Sequence, residues 1–254
     1  MKEYLSFHEA RARKEQAANR SAANGSIDTI NDINTDSRRA LSNLYKKGYV
    51  LIADKTSSSS SNAQYAGHAA IMIYNEWNSN WDNDYLSKIS VSAWGKGGPS
   101  WKGKEDNKVQ KEPLGYWIGK EQGCPAEVNI VQMRRKRWVW NWLKSGIRFY
   151  NASTDDTTEA VNNAIGWIGR DYGYASLILG ISGSVIIDPT LYTTAMCFKN
   201  SEKQFYCSQL VWRSWYKVSS EFDINPTKPV ILPENLLPYN SGSVTKYVGS
   251  YKNK

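Results

Sequence analysis

Histidine and cysteine are scarce in this chain: His8 and His68 are the only imidazoles, and Cys124, Cys197 and Cys207 the only thiols, among 254 residues. With no CxxC and no Cys/His cluster at zinc spacing, a His-rich metal site is excluded. Three cysteines do not make a disulfide scaffold for a chain this long. Cys124 and Cys197 could pair and leave Cys207 free, or all three could be reduced. Long apolar runs are missing as well. The longest nearly uncharged stretch, Tyr172 to Ile187, is interrupted by glycines and serines and is shorter than the roughly 20 residues of a membrane helix. Neither GxGxxG nor GxxxxGK[ST] occurs. Gly95, Gly97 and Gly98 run into Pro99 and a lysine-rich loop instead of a helix, so no nucleotide-type cofactor is expected. The start Met1-Lys2-Glu3-Tyr4-Leu5 is followed by charges, not by an apolar segment. No signal peptide is expected there, which leaves open a cytosolic protein or one whose leader has been removed.

What is present is basic and aromatic. The formal net charge is +8, and 16 Tyr and 11 Trp stand against 5 Phe. Most of the aromatics therefore carry a polar handle suited to wet, amphipathic surfaces. Hydrophobic residues make up 41% and the mean hydropathy is −0.58. These values exclude a disordered chain, a coiled-coil filament and a polytopic membrane protein. The length is ample for one sizeable core with an appendage.

Two regions are expected. Residues 1–36 form a polar helical N-terminal extension with a thin apolar stripe, and residues 37–254 hold the main domain. Asp36-Ser37 caps a helix over Arg38 to Lys47, stopped by Gly48. Strands follow over Tyr49–Ala53, Ala69–Tyr74 and Ile89–Trp94, spaced for antiparallel pairing. The segment Pro99 to Lys111 reads as an exposed lysine-rich loop. Glu127–Met133 alternates as a strand. The run Arg134-Arg135-Lys136-Arg137 after it reads either as a solvated turn beside a packed strand of alternating Trp138, Trp140 and Trp142, or as the contact for an anionic surface or polymer. A helix over Thr154–Ile168, with Val161, Ala164, Ile165 and Ile168 on its apolar face, ends at Gly169. A last helix begins near Cys207, with Leu210, Val211, Trp215 and Val218 at helical spacing. Helix, strands, helix, helix and a proline-rich tail make a segregated α+β order.

Chemistry concentrates in two places. Gly67-His68-Ala69-Ala70-Ile71 puts an imidazole at the opening of an apolar strand, and Tyr206-Cys207-Ser208-Gln209 puts a thiol where a buried helix begins. Unpaired N–H groups at a helix N-terminus favour the thiolate, the nucleophilic form. His68, brought near by the fold, would accept the thiol proton and later protonate a leaving group. The same Cys207 also suits a purely structural buried cysteine.

Lys47-Gly48-Tyr49-Val50-Leu51-Ile52, Thr56-Ser57-Ser58, Gly67-His68-Ala69-Ala70-Ile71 and Tyr206-Cys207-Ser208-Gln209-Leu210-Val211-Trp212 occur in an order that resembles the YiiX/YycO-type family. These are circularly permuted relatives of the NlpC-type, papain-like cysteine hydrolases. Gly169-Arg170-Asp171-Tyr172-Gly173-Tyr174 and Val230-Ile231-Leu232-Pro233-Glu234-Asn235-Leu236 are similar to the family's glycine–tyrosine segment and its loop after the cysteine. The likeness spans roughly residues 46 to 245. It implies a papain-like α+β fold, an antiparallel sheet packed against the helix carrying the cysteine, with Cys207 as nucleophile and His68 as base. The backbone N–H of Cys207, with Tyr172 or Tyr206, would stabilise the oxyanion. The family's third polar residue falls at Ser92 here, where a carboxylate is usual; Glu76 is the alternative orienter of His68. The implied activity is a cysteine amidase or peptidase that cleaves a peptide or amino-acid linkage, such as those of cell-wall peptidoglycan, through an acyl-enzyme and without a cofactor. Basic charge and such a substrate favour an exported or cell-envelope protein. Two alternatives stay open: an acyltransferase or thioesterase-like enzyme on lipid acyl groups, with Tyr174–Ile187 as an acyl channel, and a lapsed binding module for anionic polymer. No nucleic-acid fold signature is present, so nucleic acid is not the expected partner.

Overall fold

A computed structural model describes residues 46–53, 67–74, 88–95, 104–117, 125, 127–141, 144–173, 202–224 and 231–252. The N-terminal extension, residues 38–45 of the expected helix, Glu76, Cys124, Cys197 and the Tyr174–Ile187 stretch lie outside these residues.

The architecture is mixed α+β, a large and mainly antiparallel sheet carrying two principal helices. Its strands are β1 (Val50–Ala53), β2 (His68–Met72), β3 (Lys88–Trp94), β4 (Lys108–Pro113), β5 (Glu127–Asn141), β6 (Lys144–Asn151), β7 (Asp171–Tyr172), β8 (Gln204–Phe205) and β9 (Thr245–Lys252). They lie in the order β6-β5-β1-β2-β3-β4-β7-β8, and β9 pairs with β5. Among the described strands only β7 and β8 are parallel to each other.

The helices are α1 (Leu114–Trp117), α2 (Thr154–Gly166) and α3 (Cys207–Val218). Helix α2 starts at Ser153, whose hydroxyl accepts from the Asp156 N–H while the Asp156 carboxylate accepts from the Ser153 N–H, a reciprocal cap. Among the described residues no helix is long and apolar enough to cross a membrane.

Both faces of the central strands are buried, which explains why β1 and β2 read as unbroken apolar runs. On one face Val50, Ile52, Ala69, Ile71, Val91 and Ala93 pack with α2 and with Leu210, Val211, Trp212 and Trp215 of α3. On the other, Leu51, Ala53, Ala70, Met72, Ile89 and Trp94 are covered by Tyr116 and Trp117 of α1. Residues alternate between the two cores because side chains alternate along a strand.

Three expectations are corrected. The segment ending at Lys111 is not all loop: residues 108–111 belong to β4, and Val109 and Gln110 are buried. Pairing with β3 on one side and, at Lys108, with β7 on the other builds this strand into the sheet, and Lys108 and Lys111 are half-buried. The basic run 134–137 is not a turn but the middle of β5, which extends beyond the main sheet by pairing with β6 alone; Trp138 and Trp140 stand exposed there, not packed. Finally, α2 ends at Gly166, and Ile165 and Ile168 are exposed. Its contact with the sheet is a narrow stripe of Ala160, Val161 and Ala164, and position 165 turns about 100° further round the helix.

Candidate active site

Gly67 leads the chain into β2 at φ +60, and a Cβ there would stand 2.7 Å from the Ala53 carbonyl oxygen of β1. Only glycine accepts both the conformation and the close approach. His68 follows at once, opposite Ala53. It is buried, on the same face as Trp94 and α1. Trp94 lies with its ring centroid 4.0 Å from the imidazole, Trp117 stacks at 5.6 Å and Tyr116 meets it edge-on at 5.8 Å. Aromatic rings packed against the imidazole favour its cationic form.

The imidazole Nε2 donates to Oε1 of Glu112 on β4, in a short ion-paired contact. Glu112 has no exposed surface. Its Oε1 also accepts from Ser92 Oγ and Trp94 Nε1, and its Oε2 from Ser90 Oγ at 2.8 Å and Trp117 Nε1 at 3.2 Å. Trp117 Nε1 donates to Ser90 Oγ as well, at 2.9 Å. A buried carboxylate needs such a set of donors to offset lost hydration. Adjacent strands provide it by register, since Glu112 pairs opposite Ser90 and Ser92 follows on the same face.

Cys207 is the first residue of α3 and is buried. Three neighbours hold this helix start in place. The Gln209 side chain accepts from the Tyr206 N–H, Ser208 Oγ donates to the Ile231 carbonyl at 2.6 Å, and Tyr206 Oη accepts from the Ile231 N–H at 3.0 Å. The loop after the helix is thereby tied to the residues flanking the thiol.

The thiol is a hydrogen-bond partner of His68. With Nε2 committed to Glu112, Nδ1 is the nitrogen left to meet it. Burial alone would lower the His68 pKa; the Glu112 charge and hydrogen bonds to Cys207 and Glu112 outweigh it and raise the pKa to about 9.

His68 and Cys207 are thus brought together from opposite ends of the domain. Ser92 reaches His68 only through Glu112, because its hydroxyl donates to that carboxylate. Glu112 takes the place expected of Ser92 or Glu76. It escaped the sequence reading because it closes a segment that looks like a lysine-rich loop. A signal was present in β3, where Ser90 and Ser92 alternate with Ile89, Val91 and Ala93. Polar residues at period two in a buried strand require a buried partner. Tyr206, deeply buried and hence raised in pKa, has its oxygen against Ile231. Tyr172 is half-buried on β7, where it pairs with Phe205, two residues before Cys207.

Among the described residues no cluster of His, Cys, Asp and Glu could hold a metal ion. Comparison with protein-family models, characterised proteins and solved structures finds no match to this chain.

Proposed function

We propose that this protein is a cysteine hydrolase with a papain-like arrangement, in which Cys207 is the nucleophile, His68 the general base and acid, and Glu112 the residue that orients and charges the imidazole. The observation that carries the reading is the buried His68, held by a carboxylate at Nε2 and partnered by a helix-start thiol.

Proton transfer from Cys207 to His68 gives a thiolate and an imidazolium, which Glu112 and the flanking tryptophan rings stabilise. The sulfur attacks a carbonyl carbon, and the developing oxyanion meets the backbone N–H of Cys207 at the N-terminus of α3. The C–N bond breaks as the imidazolium proton passes to the leaving amine. Water then adds to the thioester while His68 takes its proton, and the C–S bond breaks to release a carboxylic acid.

The substrate class favoured is an amide of a peptide or amino acid, including those of cell-wall peptidoglycan. A serine at the orienting position was the motive for a lapsed, binding-only protein; a carboxylate on the imidazole removes that motive. The lipid-acyl alternative rested on Tyr174–Ile187, outside the described residues.

Two measurements test the proposal. Iodoacetamide should alkylate Cys207 of the wild type at about pH 6 nearly as fast as at about pH 8, whereas His68→Ala should react only at the higher pH. Identical profiles for the two proteins would sink the thiolate–imidazolium pair. Intact mass after exposure to muropeptides, unrelated peptides and short acyl esters should show an acyl adduct on Cys207 from an amide substrate. An adduct from the esters alone would move the assignment to acyl transfer.

A further inference from the structure

Beyond Met133, β5 and β6 form a two-stranded ribbon that displays the most exposed large hydrophobic side chains among the described residues. Register sorts its side chains into two faces: Arg134, Lys136, Trp138 and Trp140 pair with Asn151, Phe149, Ile147 and Ser145, and alternate with Arg135, Arg137 and Val139 on the other side. Directly opposed side chains share a face. One face therefore carries Trp138, Trp140 and Ile147 together, and these are 65%, 81% and 47% exposed.

The root of the ribbon is firmly held. Arg134 donates to the Ser243 carbonyl and lies over Phe149, whose ring packs on the core. On the other face Arg135 pairs with Asp156 and Glu221, and Arg137 with Glu221. Large apolar side chains are thus displayed on a rigid support, not on a loose loop.

Charge selects what can cover them. Residues 134–151 contain six Lys and Arg and no Asp or Glu. A second copy of this chain would bring two such ribbons together, like charge against like. A polyanion held by charge alone needs several uncommitted cations, yet three of the four in the basic run are engaged within the molecule. Lys136, on the tryptophan face, and Arg148, opposite Arg137 on the other face, are exposed and without a hydrogen-bonding or ion-pairing partner among the described residues. One free cation on each face, one or two cross-strand pairs closer to the root than the exposed Trp–Trp–Ile cluster, matches the boundary of an anionic bilayer that the ribbon enters from its Asn141–Lys144 end. There indole rings sit at headgroup depth, an aliphatic side chain enters the acyl layer, and cations meet lipid phosphates and carboxylates.

We propose that the β5–β6 ribbon is a peripheral membrane anchor that enters an anionic bilayer from its Asn141–Lys144 end, seating Trp138, Trp140 and Ile147 in the interface with Lys136 and Arg148, one from each face, on the headgroups. The anchor is independent of the hydrolase assignment, since β1 separates β5 from the strand bearing His68.

Co-sedimentation of the full chain with vesicles tests it. Phosphatidylcholine vesicles containing about 30 mol% phosphatidylserine should bind the protein, with a blue shift of tryptophan emission, and pure phosphatidylcholine should bind it at least about tenfold more weakly. Trp138→Ser/Trp140→Ser should weaken binding by about tenfold or more. Lys136→Gln/Arg148→Gln should weaken it by roughly 25-fold, about fivefold per charge. Thermal melting and the Cys207 alkylation rate of both variants should match wild type, which separates lost binding from lost folding. Unchanged binding in the tryptophan variant, equal binding to both vesicle types, or no binding to either overturns the proposal. If an oligonucleotide, or a second copy detected by sedimentation velocity, is instead what the tryptophan variant loses, the ribbon serves that partner and not a membrane.

Discussion

His68 Nε2 donates to Glu112 Oε1 across 44 positions of sequence, and the pair is sealed between the central sheet and the indoles of Trp94 and Trp117. Neither residue is at home in that place alone: an unpaired buried carboxylate or imidazolium carries a large desolvation penalty. Together, with Ser90, Ser92 and the two indole N–H groups completing the shell, they form a charged unit whose free corner faces Cys207.

Replacing Glu112 with Gln removes the charge that raises His68. The imidazole pKa, followed by NMR, should fall from about 9. Alkylation and any hydrolysis at neutral pH should drop by about 100-fold or more. Glu112→Ala should also cost about 3–5 kcal/mol in denaturant unfolding, because four other donors lose their acceptor.

The raised His68 pKa couples stability to pH. Because the folded state binds this proton more tightly, the contribution is complete below the ordinary value of 6.5 and lost as pH rises through about 9. It amounts to roughly 3 kcal/mol. Urea titrations across that window should show wild type losing stability towards high pH, and His68→Phe should flatten the slope. The same titration predicts a basic limb near pH 9 in kcat/KM.

At the acid end the group to watch is Asp156. Hydrogen bonding from Arg135 is the main cause that lowers its pKa from 3.8 to about 2; burial opposes it, and the Ser153 cap assists. Its contribution, about 2 kcal/mol, is present above the ordinary carboxylate range and lost as pH falls towards about 2. Asp156→Asn should therefore lower stability at neutral pH, and the two proteins should converge in acid.

Trp117→Phe keeps the ring beside His68 but deletes the N–H shared by Ser90 and Glu112. One buried donor fewer should cost about 1–2 kcal/mol. If Trp117 positions Glu112, the basic limb of the activity profile should also shift to lower pH, and Trp117→His, which can restore a donor, should recover part of it. A pH profile identical to wild type would reduce Trp117 to packing.

Patterns along the chain suffice for the strands around His68, the helix beginning at Cys207 and the scarcity that leaves His68 as the imidazole of the main region. Each of these is local: apolar periodicity, a glycine of required conformation, a thiol ahead of an amphipathic stretch. Which residue stands behind the histidine depends on long-range strand pairing. Glu112 follows a lysine-rich stretch whose composition speaks for solvent, and only pairing with β3 and the indoles of Trp94 and Trp117 turn its inner face into core. The basic and tryptophan run shows the reverse. Its alternation marks a strand, but whether that strand packs or projects depends on how far its neighbours extend, and beyond Met133 only β6 accompanies it. Cross-strand register joins residues that no window along the chain contains, so the partner of a buried charge and the exposure of a tryptophan are properties of the sheet.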